Sequence, residues 1–359
     1  MIVEQGGNRR LTTPVPGRPR AGTVVRVQIV DTVPQLRLDD LLRVWFCVIP
    51  QGILAGLRGL WLEDLRVRWG TVVFEFGTAI ETTWARVDGL HIRCLAAGRG
   101  GVPPVLLLHG GGFDAADFSY RYTIGPLSSL RPVLAFYWPG YGGSDTPKLQ
   151  YDLAYYAHFL ERLMHSLEFR RVALVGTSLG GGAALSFALR SPDRVEKLVL
   201  VSSYGLGKDV PYGRLGYFLV HAPLVADMAY EALRRSRHSL RWGLRRIVYD
   251  PRIVSDELVE EARCLLNRPA SGQAFHSFRK SEVGWGGLKT DLSEHFGELA
   301  APTLLIHGDH DRVVPVAWAQ RTHERLPDSE LCVLRGCGHW PPREHPDEFN
   351  RAVANFLSR

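Results

Sequence analysis

The sequence predicts an α/β fold: a mostly parallel sheet with helices on both faces and an inserted helical cap. From about Trp84 onward, apolar runs of strand length alternate with segments of helix length, the pattern of a sheet covered on both sides. The alternation stops once, between Ser203 and Thr303, where apolar residues take helical spacing, as at Leu258, Ala262 and Leu265. A cap inserted there would roof the carboxyl ends of the strands, where open α/β sheets bind their ligands. At 359 residues, 45% hydrophobic and 22% charged, the chain can bury a full core, which excludes disorder, collagen-like repeats and coiled coil as its main architecture.

In chain order, residues 1–20 combine Pro14, Pro16 and Pro19 with Arg9, Arg10, Arg18 and Arg20, so little can pack there and a disordered tail is expected. Apolar clusters over 23–76 have no assignable period, and residues 1–83 are read as a partly disordered N-terminal extension of unassigned role. Asp88-Gly89 between the runs 84–87 and 90–94 predicts a hairpin, because that dipeptide supplies the positive φ angles of a tight turn. Further strands are predicted at 105–108, 133–137, 172–175, 198–201, 303–306 and 331–334, with helices clearest at 153–167, 181–190, 316–325 and 347–357. The core is thus assigned to 84–204 and 300–359, and the cap to 205–299.

The formal charge of +6 is spread along the chain without a basic run, so no nucleic-acid partner is expected. Five cysteines, Cys47, Cys94, Cys264, Cys332 and Cys337, form no C-x-x-C pair, which argues against a disulfide framework or a zinc knuckle. The stretch 41–62 is apolar but broken by Arg43, Gln51 and Arg58, and the first residues lack a secretory pattern. A cytoplasmic location without membrane association is expected.

The chemistry centres on Gly176-Thr177-Ser178-Leu179-Gly180, a G-x-S-x-G directly after a predicted strand and before a small-residue helix. Glycines there permit a sharp turn that lifts the serine hydroxyl above the sheet. Serine is a weak nucleophile, so it needs a base, and the base needs a partner that fixes its tautomer. His339 and Asp311 each follow a predicted strand at the same sheet end, giving the order Ser178, Asp311, His339; Asp309 is the rival for the acidic role. Two donors must face the oxygen that becomes negative, and the amides of Leu179 and Gly111 are the candidates, with His109 bracing the loop His109-Gly110-Gly111-Gly112.

That glycine loop, the turn Pro139-Gly140-Tyr141-Gly142-Gly143-Ser144-Asp145, the Ser178 turn, Asp311 and His339 together resemble the α/β-hydrolase superfamily over about residues 84–359. The ending from Cys337-Gly338-His339-Trp340-Pro341-Pro342 to Asn350 is similar to the meta-cleavage product hydrolases, serine enzymes that cut a carbon–carbon bond beside a ketone. The resemblance implies that Trp340 lines the pocket; Gly112 and Phe113 are expected beside it. The chain departs from that group in having Leu179 where methionine is usual and Phe113-Asp114 where Pro-Gly is usual.

The expected function is a cofactor-free serine hydrolase of a small or medium carboxylic ester, acting through an acyl-enzyme. The alternatives are a carbon–carbon hydrolase of a vinylogous diketo acid, a non-catalytic binding protein on the same fold, and a lipid-surface enzyme using the N-terminal apolar segment. A small-molecule substrate is expected and no metal, since the histidines show no H-E-x-x-H spacing. Arginines 214, 234, 235, 237, 241, 245 and 246 would make the cap basic. Oligomeric state stays open, a homodimer included.

Overall fold

The computed structural model describes residues 79–100, 102–208 and 213–359, with a two-residue strand pair, Arg26–Val27 against Val72–Val73. The disordered tail and the apolar stretch expected over 41–62 lie outside the described residues.

Strands β1 (Glu81–Val87) and β2 (Leu90–Ala97) are joined by Asp88-Gly89, whose φ angles of 50° and 83° are the left-handed pair that the turn requires. The sheet continues through β3 (Val105–Leu108), β4 (Val133–Phe136), β5 (Val172–Thr177), β6 (Val195–Val201), β7 (Thr303–Gly308) and β8 (Ser329–Leu334). Its spatial order is β8-β7-β6-β5-β3-β4-β2-β1. Pairing is parallel from β8 to β4, and β2 is antiparallel to both β4 and β1. β3, β4 and β5 are buried at every residue, as strands covered on both faces must be.

One face packs on α1 (Leu153–Ser166), α2 (Leu179–Arg190) and α8 (Val316–Arg325), through side chains such as Phe159, Leu185 and Trp318. The other packs on α9 (Pro346–Ser358) through Phe349, Val353 and Phe356. Each such fully buried Leu, Val or Phe contributes about 1.5–3 kcal/mol. Asp152 starts α1 by accepting the Tyr155 amide at 2.7 Å.

Between β6 and β7 the chain forms α3 (Gly213–His221), α4 (Pro223–Arg235), α5 (Arg237–Ile247), α6 (Asp256–Leu266) and α7 (Gln273–Glu282). Ser236 and Ser255 cap α5 and α6, and Asp256 and Glu257 place negative charge on the first turn of α6. Leu240 and Leu244 of α5 pack with Val259 and Ala262 of α6. α7 is held to the start of α1 and to the segments before α1 and after β6. Glu282 accepts the Leu153 amide at 2.8 Å and the Tyr204 hydroxyl at 2.9 Å, and Ser277 Oγ accepts the Tyr151 amide at 3.0 Å. Among the described residues no helix is long and apolar enough to cross a membrane.

Candidate active site

The Gly176–Gly180 turn carries the chain from β5 into α2 with Ser178 at φ 52° and ψ −116°. A non-glycine residue in that region costs about 1–3 kcal/mol and persists only where its surroundings impose it. Here the Ser178 N–H donates to the Val201 carbonyl at 2.9 Å, and its carbonyl accepts the amides of Gly182 and Tyr204, each at 3.0 Å. Gly180 is obligatory for space, because a Cβ there would lie 2.2 Å from the Leu108 carbonyl oxygen. Beneath the turn the Tyr120 hydroxyl sits 2.9 Å from both the Leu108 carbonyl and Thr177 Oγ1, tying β3 to β5. Leu179 opens α2, so its amide is one of the helix-start donors without an intrahelical partner.

Asp311, in the turn after β7, faces His339, in the turn after β8: Asp311 Oδ2 lies 2.8 Å from His339 Nδ1. The other carboxylate oxygen accepts the amides of Val313 and Val314 at 2.8 and 2.9 Å. Burial works to raise the Asp311 carboxyl, but the His339 charge and the His307 and His339 hydrogen bonds hold it well below the usual carboxylate range. Burial likewise opposes the charged His339 imidazole, and the charge and hydrogen bond of Asp311 outweigh it, so its affinity for a proton is raised. Asp309 has a different task. Its Oδ1 accepts the Gly336 amide at 2.8 Å and meets His310 Nδ1 at 2.6 Å, bracing the turn that leads to His339.

Two contacts around His339 have no sequence signal. The His339 amide donates to the Ile247 carbonyl at the end of α5, at 2.7 Å. Glu344 accepts the amides of Gly338 and Trp340 at 2.9 and 3.0 Å and that of Tyr249 at 2.7 Å. The insertion therefore helps to hold the imidazole loop in place.

The glycine loop is braced from two sides. His109 is fully buried; its Nε2 accepts the Trp138 amide at 3.1 Å, so Nδ1 carries the proton and donates to the Gly110 carbonyl at 2.8 Å. Burial drives its pKa down to about 3 against the Gly110 hydrogen bond, leaving a neutral brace. Asp114 accepts the amides of Gly110 and Ala115 at 2.6 and 2.7 Å and receives the Ser119 hydroxyl at 2.7 Å. Burial raises the Asp114 carboxyl to about 6, against the pull of these bonds and of Arg343.

A cavity of about 830 Å³ lies between this loop, α4 and α7, and Gly112 and Phe113 line it. Phe275 of α7 roofs the loop: a Cβ on Gly111 would lie 2.6 Å from its ring and 3.5 Å from Leu179 Cδ1. Trp340 departs from expectation. Only 4% exposed, it lies outside the cavity lining, because its indole N–H donates to Ser119 Oγ at 2.8 Å and its ring packs 4.8 Å from Phe118. Among the described residues no group of His, Cys, Asp and Glu could hold a metal ion.

The strand order, the turn after β5 and the family model for the alpha/beta hydrolase fold, which matches residues 103–346, agree. The chain belongs to the α/β-hydrolase family, and it is a serine hydrolase that acts on a small molecule. It is 32% identical over 258 residues to a 2-hydroxy-6-oxo-2,4-heptadienoate hydrolase of Pseudomonas putida, covering 71% of this chain and 89% of that one. It is also 32% identical over 278 residues to a 2-hydroxy-6-oxo-6-phenylhexa-2,4-dienoate hydrolase of Burkholderia cepacia, covering 76% and 93%. Among solved structures it is similar to a meta-cleavage product hydrolase of Pseudomonas fluorescens, with a TM-score of 0.66 and 29% identity over 77% of this chain and 97% of the other.

Proposed function

We propose that this chain hydrolyses the carbon–carbon bond beside the ketone of a vinylogous diketo acid, in place of the simple carboxylic ester that its motifs alone put first. The likeness to two hydrolases named for 2-hydroxy-6-oxo-dienoates, at 32% identity across most of both chains, carries this reading.

In the proposed reaction Ser178 Oγ adds to the ketone carbon while His339 Nε2 takes its proton. Asp311 fixes the His339 tautomer through Nδ1 and stabilises the imidazolium. The amides of Gly111 and Leu179 receive the oxygen as it becomes negative. Collapse then breaks the carbon–carbon bond. The departing carbon is a poor leaving group unless its electron pair spreads through a conjugated chain into a second carbonyl, which a vinylogous keto acid provides and a plain ketone does not. His339 returns the proton to that fragment, and water, activated by the same imidazole, cleaves the Ser178 ester. The reaction needs no cofactor, and its substrate fits a cytoplasmic enzyme.

The test follows the absorbance of 2-hydroxy-6-oxo-6-phenylhexa-2,4-dienoate and the release of nitrophenol from short and medium acyl esters, with wild type and Ser178→Ala. Fluorophosphonate labelling is read by intact mass. Loss of the dienoate band with wild type alone, and one label on wild type alone, supports the proposal. Ester turnover without dienoate cleavage returns the enzyme to the carboxylesterase reading, and absence of any label removes Ser178 from the chemistry.

A further inference from the structure

The cap presents an apolar surface to solvent. On α3 Leu215, Phe218 and Leu219 stand at helical spacing on one face, and that face points outward, with Leu215 59% and Phe218 56% exposed. α4 follows after Ala222 alone and repeats the pattern with Val225, Met228 and Ala232, Met228 being 70% exposed. The other side of α4 is already occupied, since Ala226, Tyr230 and Leu233 line the cavity. Single exposed apolar residues need no explanation, but a surface helix ordinarily turns its apolar stripe inward, and two adjoining helices with outward rows depart from that rule together.

The edges of this surface are aromatic and cationic. Trp285, half-exposed just after α7, packs 5.5 Å from Phe218, and the Arg214 guanidinium lies 5.2 Å over the same indole. Arg235 stands three residues beyond Ala232 and is exposed. α5 packs so closely on α4 that a Cβ on Gly243 would lie 3.1 Å from Leu233 Cδ2, and it exposes Trp242, Arg245 and Arg246, with the Arg246 guanidinium 5.6 Å over the Trp242 ring. Among the described residues neither Arg245 nor Arg246 makes an ion pair. Residues 213–247 hold seven arginines against two carboxylates; of these Glu231 is engaged by Arg234 and Arg235, and Asp227 stands 4.0 Å from His276.

We infer that the outward face of α3 and α4 docks on an anionic phospholipid surface. Apolar rows enter the acyl boundary, tryptophans take the headgroup level and arginines meet the lipid phosphates, the arrangement of helices that lie in the plane of a membrane. A second copy of the chain fits the face less well, because a symmetric pairing would set one arginine-rich surface against another. No described helix is long and apolar enough to span a bilayer, so the attachment is peripheral. It differs from the expectation of no membrane association, because the sequence shows a basic cap but not which way its apolar residues turn. Ala229, exposed beside Met228, also lines the cavity, so docking brings the cavity mouth to the lipid and lets an apolar substrate enter from the bilayer. The inference holds whichever bond the enzyme cleaves.

The test is co-sedimentation of the full chain with phosphatidylcholine vesicles, with and without about 30% phosphatidylglycerol. Wild type is expected to sediment with the anionic vesicles, far less with the neutral ones, and to be released in about 0.5 M NaCl. Leu215→Ser combined with Met228→Ser should lower the partition coefficient about tenfold or more, as two apolar side chains are withdrawn from the lipid. Arg245→Gln combined with Arg246→Gln should weaken binding to the anionic vesicles several-fold and leave the neutral ones unchanged. Circular dichroism and melting establish that each variant is folded, since none of these residues lines the cavity.

Three results would overturn the inference. Wild type that stays in the supernatant with anionic vesicles has no lipid-docking face. A folded Leu215→Ser, Met228→Ser protein that binds as wild type does places the lipid contact elsewhere in the chain. Light scattering that finds a wild-type dimer, dissociated by the same two substitutions, assigns the face to a second copy.

Discussion

His307 Nε2 stands 3.2 Å from Asp311 Oδ2, the oxygen that also meets His339 Nδ1 at 2.8 Å, and both His307 and Asp311 are closed to solvent. His307 belongs to β7, and its Nε2 lies 3.0 Å from the Val314 carbonyl as well, so that nitrogen carries a proton. The acidic partner of His339 is thus gripped from behind by a second imidazole. His307→Phe removes one donor from the carboxylate, which then holds the charged His339 more strongly. The acid limb of kcat/KM is expected to move to higher pH by a fraction of a unit, with turnover reduced several-fold. A limb that stays in place would make His307 a packing residue only.

The raised proton affinity of His339 fixes the pH dependence of the wild type. The base must be neutral to accept the Ser178 proton, so kcat/KM should be low in acid and rise through a limb centred above the ordinary imidazole value of about 6.5. Asp311→Asn removes the charge that raises it. Turnover should fall by about 10⁴-fold, as when the orienting carboxylate of a serine triad is lost, and the residual activity should titrate at lower pH. Stopped-flow rates across pH 5–9 would test both shifts.

Asp114→Ala would leave the Gly110 and Ala115 amides and the Ser119 hydroxyl without their acceptor in a buried place. Each stranded donor costs about 1–3 kcal/mol, reduced where water enters. A loss of about 2–4 kcal/mol is expected in urea unfolding, along with a lower kcat as the glycine loop loosens. Because the folded-state carboxyl is raised to about 6 from its usual 3.8, ionising Asp114 costs stability. This contribution is fully present below the unfolded value and is lost as pH rises through about 6. Asp114→Ala should therefore flatten the fall in stability between about pH 4 and 6.

Gly111→Ala places a methyl group against Phe275 while leaving Gly111 backbone angles that alanine can adopt. Activity should fall at least tenfold. If the ring is the obstacle, Gly111→Ala combined with Phe275→Ala recovers most of it, and Phe275→Ala alone accepts bulkier acyl groups. Additive losses in the double variant would show that the methyl group harms the loop directly.

The sheet was legible because its strands are written as continuous apolar runs between glycine and proline, and the turn at Ser178 because its glycines are local. Strand ends were less so. β5 and β7 run on through Thr177 and Gly308, where ladder pairing continues beyond the apolar residues. Phe275 could not be found from spacing, since it reaches Gly111 only through the docking of α7. His307 looked like any strand residue, and Glu344 like one more charge in the terminal segment. Trp340 was placed on the pocket by resemblance, whereas the Ser119 hydroxyl draws its indole inward.

The anchoring of α7 bears on how this enzyme can be redesigned. Glu282, Ser277 and a Gly140–Ala274 approach that leaves no room for a Cβ on the glycine make α7 a working part of the barrier between sheet and cavity. A chimera that exchanges 205–299 as a block would discard the α7 half of every joint and leave its partners Gly140, Tyr151, Leu153 and Tyr204 without it. Shuffling the helices before Gln273 and retaining α7 keeps the joints, so new substrate ranges are better sought by recombining α3 to α6 on a fixed α7.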